Sequence, residues 1–123
     1  MPRILLIDDD ELFRNMLRAT LEQLGYIVTE ARDGQEGIAL HQLRPADLVI
    51  TDLIMPGKEG LETIHELRRL QPGLKIIAMS GGGRVPAADF LHIAKKMGAA
   101  RVFTKPFANE AMATVIAELL AVT

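Results

Sequence analysis

Val49-Ile50-Thr51-Asp52-Leu53-Ile54-Met55-Pro56-Gly57 is the stretch that decides the fold. A short apolar run rises to an acidic residue and breaks at once into Met-Pro-Gly. The run is too short for a helix and too apolar for a strand with one wet face, so it predicts a buried parallel strand. Asp52 then stands at that strand's carboxyl end, the edge where ligands bind in open α/β sheets. A carboxylate stripped of water on one side needs a cation, a hydrogen-bond cage or a chemical task. Asp also suits helix caps and turns. Here Pro56 and Gly60 postpone the next helix by several residues, which favours a functional carboxylate.

Upstream, Ile4-Leu5-Leu6-Ile7 is a second short apolar run, ending in Asp8-Asp9-Asp10. Leu12, Phe13, Met16, Leu17, Thr20, Leu21 and Leu24 then recur at helical spacing, and Gly25 supplies the stop. Tyr26 to Ala31 is β-rich and partly alternating, as an edge strand would be. Asp33 with Glu36 makes a capping pair for a helix to about Leu43, which Arg44-Pro45 ends.

Downstream, Leu61 to Leu70 reads as a helix with Leu61, Ile64, Leu67 and Leu70 inward, and Gln71-Pro72-Gly73 as a turn. Lys75 to Met79 is another short strand, closing on Ser80 and Gly81-Gly82-Gly83. Pro86 suits the first turn of a helix carrying Phe90, Leu91, Ile93, Ala94 and Met97. Gly98 ends it. Arg101 to Thr104 is a last strand, followed by Lys105-Pro106-Phe107. Asn109 is placed to cap a final helix with Met112, Val115, Ile116, Leu119 and Leu120 apolar. Five strand–helix units in strict alternation imply a parallel sheet covered on both faces, in a single domain spanning residues 1–123.

Composition bounds the chemistry. The 123 residues carry a formal charge of −2 and no cysteine. Direct nucleic-acid binding lacks its basic footprint, and disulfides, thiolate chemistry and Cys-ligated zinc are excluded. No apolar run approaches a membrane span, and the first strand follows Met1-Pro2-Arg3 too closely for a signal peptide. The expectation is a cytoplasmic protein that binds neither nucleic acid nor membrane.

Polar residues stand at the carboxyl ends of four of these strands: Asp8 and Asp9, Asp52, Ser80 and Lys105. A doubly wound sheet gathers those ends on one edge beside its topological switch point. Two unit charges about 4 Å apart repel by ~4 kcal/mol at an effective dielectric near 20, so three carboxylates require positive charge among them. Hard carboxylate oxygens without His or Cys suit Mg²⁺ or Mn²⁺, and a divalent ion with Lys105 would cancel the three negative charges. A carboxylate beside such an ion and a lysine can attack a phosphoryl group, because the developing oxygen charge is already compensated. Asp52, alone on the central strand, is the natural nucleophile. Ser80 can donate its hydroxyl to a transferred phosphoryl oxygen, and the three glycines after it allow that loop to move.

These features resemble the receiver (CheY-like) domain of two-component response regulators over essentially the whole chain. The acidic cluster after the first strand, the strand-ending Asp followed by Met-Pro-x-x-x-Gly, the Ser-Gly after the fourth strand and the Lys-Pro-Phe after the fifth agree in order and spacing. Gly25-Tyr26-x-Val28 and Ala31-x-x-Gly34-x-Glu36 are similar to the family too. The resemblance implies a flavodoxin-like (βα)5 fold, a doubly wound parallel sheet of strand order 2-1-3-4-5. It implies that Asp52 accepts a phosphoryl group from a phosphohistidine on a sensor kinase or phosphotransfer protein. Asp9 would bind Mg²⁺ directly and Asp8 mainly through a metal-bound water, with Asp52 and the main-chain carbonyl of Ile54 completing the protein ligands. Lys105 would pair with Asp52 and then with its phosphoryl group, and Ser80 would follow that group inward. The surface around the fourth and fifth helices would switch toward a downstream protein target, as a monomer or a phosphorylation-dependent dimer. One departure stands out: the family often carries Tyr or Phe three residues before the lysine, where this chain has Val102. Its neighbour Phe103 points to the opposite face of the strand.

Other residues read as structural. Asp10 suits the start of the first helix. His41, His65 and His92 read as solvated helix-surface histidines, although His65-Glu66-Leu67-Arg68 looks superficially like a kinase phosphohistidine box. Met16, Met79, Met97 and Met112 read as core filler. Gly81-Gly82-Gly83 is no nucleotide loop, since no Gly-Lys-Ser/Thr follows. Arg84, Lys95, Lys96 and Arg101 read as a docking face or a solvated one. Two other functions compete. An aspartyl phosphatase would need a second carboxylate at position 54, where Ile54 stands, and a substrate-covering cap. A phosphorylation-independent interaction domain would not need all five key positions intact.

Overall fold

The computed structural model describes residues 1–53, 60–81 and 87–121, without the side chains of 87–91. Five strands alternate with five helices: β1 (Arg3–Ile7), α1 (Glu11–Gln23), β2 (Ile27–Ala31), α2 (Gly34–Leu43), β3 (Leu48–Asp52), α3 (Gly60–Leu70), β4 (Lys75–Ser80), α4 (Ala87–Lys96), β5 (Arg101–Thr104) and α5 (Asn109–Ala121). The strands form one parallel sheet in the order β2-β1-β3-β4-β5. This is the flavodoxin-like arrangement, with the order reversing between β1 and β3. The residues around Met55-Pro56-Gly57, Gly82, Gly83, Arg84 and Pro86 lie outside the described ones, as do the side chains of Phe90 and Leu91.

The central strand is buried along its whole length, with Leu48, Val49 and Ile50 at 0% exposure. Successive side chains of a strand point to opposite faces, so each strand feeds two cores. Leu5, Ile7, Val49, Ile76 and Ala78 pack under α2, α3 and α4 with Ile38, Ile64, Leu67 and Ala94. Ile4, Leu6, Leu48, Ile50, Ile77 and Met79 pack under α1 and α5 with Leu17, Leu21, Met112 and Ile116. Each fully buried Leu, Ile, Val or Met among them contributes about 1.5–3 kcal/mol. This double cover aligns the strand ends on one edge. Among the described residues, no helix is long and apolar enough to cross a membrane.

Several sequence readings need correction. His41 is 4% exposed rather than a surface histidine. The chain after α2 folds back so that the Ala46 N–H donates to His41 Nδ1 at 3.0 Å, which leaves the proton on Nε2 to donate to Gln71 Oε1 at 2.9 Å. Met16 is 64% exposed and fills no core, and Leu12, Leu24, Leu70 and Ile93 are exposed with it. Phe13, Leu17 and Leu21 already occupy the arc of α1 that meets the sheet. Met79 and Met112 are fully buried as expected. Asn109 lies inside α5 rather than capping it. The carbonyl of Ala108 accepts from the N–H groups of Ala111 and Met112, so the cap position is one residue earlier.

Candidate functional site

β1, β3, β4 and β5 deliver Asp8, Asp52, Ser80 and Lys105 to the carboxyl edge of the sheet. Asp8 is fully buried, Asp52 is 7% exposed and Asp9 faces solvent. Each of the three offers a carboxylate oxygen within 4.8 Å of the other two. The Lys105 ammonium reaches in from the far side of the sheet. It lies 2.6 Å from Asp8 Oδ2 and 3.8 Å from Asp52 Oδ2, so its tighter partner is Asp8. The pairing with Asp52 that the resemblance implies is the looser of the two. Ser80 is fully buried one residue beyond Met79, the register partner of Asp52. Its hydroxyl has no hydrogen-bond partner among the described residues. An unpaired buried hydroxyl costs about 1–3 kcal/mol, which is tolerable where an incoming group will pair with it. Ile54 lies outside the described residues, so the placement of its carbonyl is not described.

Electrostatics follow from this crowding. Burial pushes the Asp52 carboxyl up to about 6, Lys105 pulls it down, Asp8 raises it, the Leu53 N–H lowers it and Asp9 raises it. That N–H donates to Asp52 Oδ1 at 3.0 Å, leaving Oδ2 on the Lys105 side. Among the described residues, three carboxylates against one lysine leave two uncompensated negative charges, the charge of a divalent cation. All-oxygen donors suit Mg²⁺ or Mn²⁺. The residues present therefore fit such an ion.

Comparison with known proteins gives this geometry its context. The profile of the response regulator receiver domain matches residues 4–117. The chain belongs to the response regulator receiver family. This receiver is 33% identical to the chemotaxis protein CheY of Halobacterium salinarum over 118 residues, 96% of each chain. It is 32% identical over 117 residues to the transcriptional regulatory protein GlrR of Escherichia coli, covering 95% of this chain but only 26% of that one. A CheY-like receiver structure from Methanospirillum hungatei superposes with a TM-score of 0.90 at 28% identity, over 98% of this chain and 94% of that one.

Around the strand ends, the receiver carries further supports, of which the sequence signalled only the Asp10 cap. Asp10 caps α1 by accepting from the Phe13 N–H at 3.1 Å, while its own N–H donates to Asp8 Oδ1 at 2.9 Å. Arg14 donates to the Asp8 carbonyl at 2.6 Å and pairs with Glu30 at 2.8 Å, and Arg18 joins Glu30 at 2.8 Å. Burial alone would raise the Glu30 carboxyl, but the hydrogen bonds from Arg18 and Arg14 outweigh it and the net direction is down. A Cβ on Gly60 would fall 2.3 Å from the Asp52 carbonyl oxygen and 2.4 Å from Leu53 Cα. Only glycine lets α3 begin against the end of β3. A Cβ on Gly81 would sit 2.4 Å from Lys105 Cβ, so this glycine makes room for the lysine stem where the sequence suggested loop freedom. Spacing signalled the positions of both glycines but not these close approaches. Val102 and Phe103 do face opposite cores, Val102 toward α3 and α4, Phe103 toward α1 and α5.

Proposed function

We propose that Asp52 is the phosphoacceptor of a two-component signalling switch. The carrying observation is the Lys105 ammonium set between the Asp8 and Asp52 carboxylates at a cluster two charges short of neutrality. An Asp52 carboxylate oxygen attacks the phosphorus of a phosphohistidine on a sensor kinase or phosphotransfer protein. The new P–O bond forms as the P–N bond breaks, and the imidazole leaves with its electron pair and takes up a proton. Water later attacks phosphorus and restores the carboxylate and inorganic phosphate. The domain thus catalyses only its own phosphorylation and dephosphorylation.

Mg²⁺ would be held by Asp8, Asp9, Asp52 and the Ile54 carbonyl, and when bound it supplies charge compensation for the phosphoryl oxygens. Lys105 leaves its place between the carboxylates to pair with the transferred group, and the unpaired Ser80 hydroxyl donates to one of its oxygens. That movement biases the face formed by α4, β5 and α5 toward a downstream protein, as a monomer or a phosphorylation-dependent dimer. With Val102 on β5, no aromatic ring takes part at that position. This reading places the protein in the cytoplasm with its kinase.

Intact mass after incubation with acetyl phosphate and Mg²⁺ tests the proposal. A single phosphoryl adduct on the wild type and none on Asp52→Asn is the expected result. A folded, Mg²⁺-supplied protein that gains no adduct would overturn it.

A further inference from the structure

We infer that Phe13 is a positioning residue for Lys105, its ring face holding the ammonium in place between Asp8 and Asp52. Lys105 Nζ lies 4.1 Å from the Phe13 ring centroid, within the range in which a ring quadrupole attracts a cation. The ring is itself fixed from two sides. Its backbone N–H is tied to Asp10, which is tied to Asp8. The rings of Phe107 and Phe13 stand nearly perpendicular with centroids 5.9 Å apart, and Phe103 backs Phe107 at 5.2 Å.

The slot is complete when the other walls are added. The stem of Lys105 runs over Gly81, where a Cβ would collide with it, and the side chain is only 18% exposed. Asp8 attracts the ammonium strongly at 2.6 Å, and a flexible four-carbon stem could otherwise settle wholly on that carboxylate or swing toward water. A ring face offers the cation attraction without a competing formal charge or a hydrogen-bond acceptor. It keeps the ammonium poorly hydrated and available, so its charge acts at full strength when phosphoryl charge develops at Asp52. The kinetic part of this inference rests on Asp52 being the phosphoacceptor; the placement of the lysine does not.

The test replaces Phe13 with phenylalanines carrying one, two and three ring fluorines, which weaken the ring quadrupole while nearly keeping its shape. Phosphorylation by acetyl phosphate with Mg²⁺ should slow stepwise with each fluorine, to about threefold to tenfold below wild type. Phe13→Leu should fall at least as far, and Phe13→Tyr should restore the rate. NMR supplies a readout independent of phosphorylation: the Lys105 ε-methylene protons should be shifted upfield by the ring current in the wild type and not in Phe13→Leu. A rate flat across the fluorinated series, or Lys105 protons without that shift, would overturn the inference. If the wild type itself gains no phosphoryl group, the phosphoacceptor reading fails, and the ring-current shift still decides where the lysine sits.

Discussion

Replacing Asp52 with Asn should stabilise the metal-free protein, although it abolishes the proposed chemistry. Burial and the neighbouring Asp8 and Asp9 raise the Asp52 carboxyl to about 6 against 3.8 for an ordinary aspartate, with Lys105 and the Leu53 N–H opposing them. An acid that titrates higher in the folded chain than in the unfolded one penalises the fold once ionised, here by about 3 kcal/mol. The sign fixes the pH window. Between the unfolded and folded values the native state holds more protons, so the stability contributed by Asp52 is present below about pH 4. It is lost as pH rises through 6. Asn resembles the protonated carboxyl and still accepts from the Leu53 N–H, but it sets an amide beside Lys105. The net gain at pH 7.5 should be about 1.5–3 kcal/mol, or roughly 5–12 °C in Tm for a domain of this size. The assay is thermal unfolding in a chelator from pH 7.5 down to 4, wild type against Asp52→Asn. The difference between the two should shrink toward zero at the acid end. A variant no more stable than wild type at pH 7.5, or a difference that ignores pH, would refute the charge argument.

Adding Mg²⁺ should offset that difference, raising wild-type stability by about 2.7 kcal/mol at a hundredfold excess over its Kd; Asp9→Asn and Asp52→Asn should gain much less in the same melting assay. Gly60→Ala should lose about 3 kcal/mol or more, because its Cβ meets backbone atoms of Asp52 and Leu53 that cannot swing away; chemical denaturation measures this. His41→Leu leaves the buried Ala46 N–H without its acceptor and should cost about 1–3 kcal/mol. Phosphorylation in the intact-mass assay should be unchanged in that variant, since His41 lies at the opposite edge of the sheet from Asp52.

The order of elements and the strand ends were legible because they rest on local patterns. Short apolar runs bounded by Gly, Pro and Asp mark buried strands, and helical spacing marks what covers them. Alternation then forces parallel pairing, and parallel pairing puts Asp8, Asp52, Ser80 and Lys105 on one edge whatever their distance in sequence. What periodicity cannot carry is ångström-scale contact between distant residues. Asp8 and Lys105 are 97 positions apart, and only the packed sheet makes them tighter partners than Asp52 and Lys105. His41 looked like a surface residue because its partners, Ala46 and Gln71, meet it only after the chain has folded back. Phe13 looked like any core aromatic, and Gly60 and Gly81 like turn residues, because a ring over an ammonium or a backbone within reach of a missing Cβ is a property of neighbours in space. Sequence alone thus determined the architecture and the chemical groups at its edge, since both follow from local pattern and chain handedness. Tertiary packing decided which charge pairs with which, because Coulomb and contact energies turn on distances that only the folded chain sets.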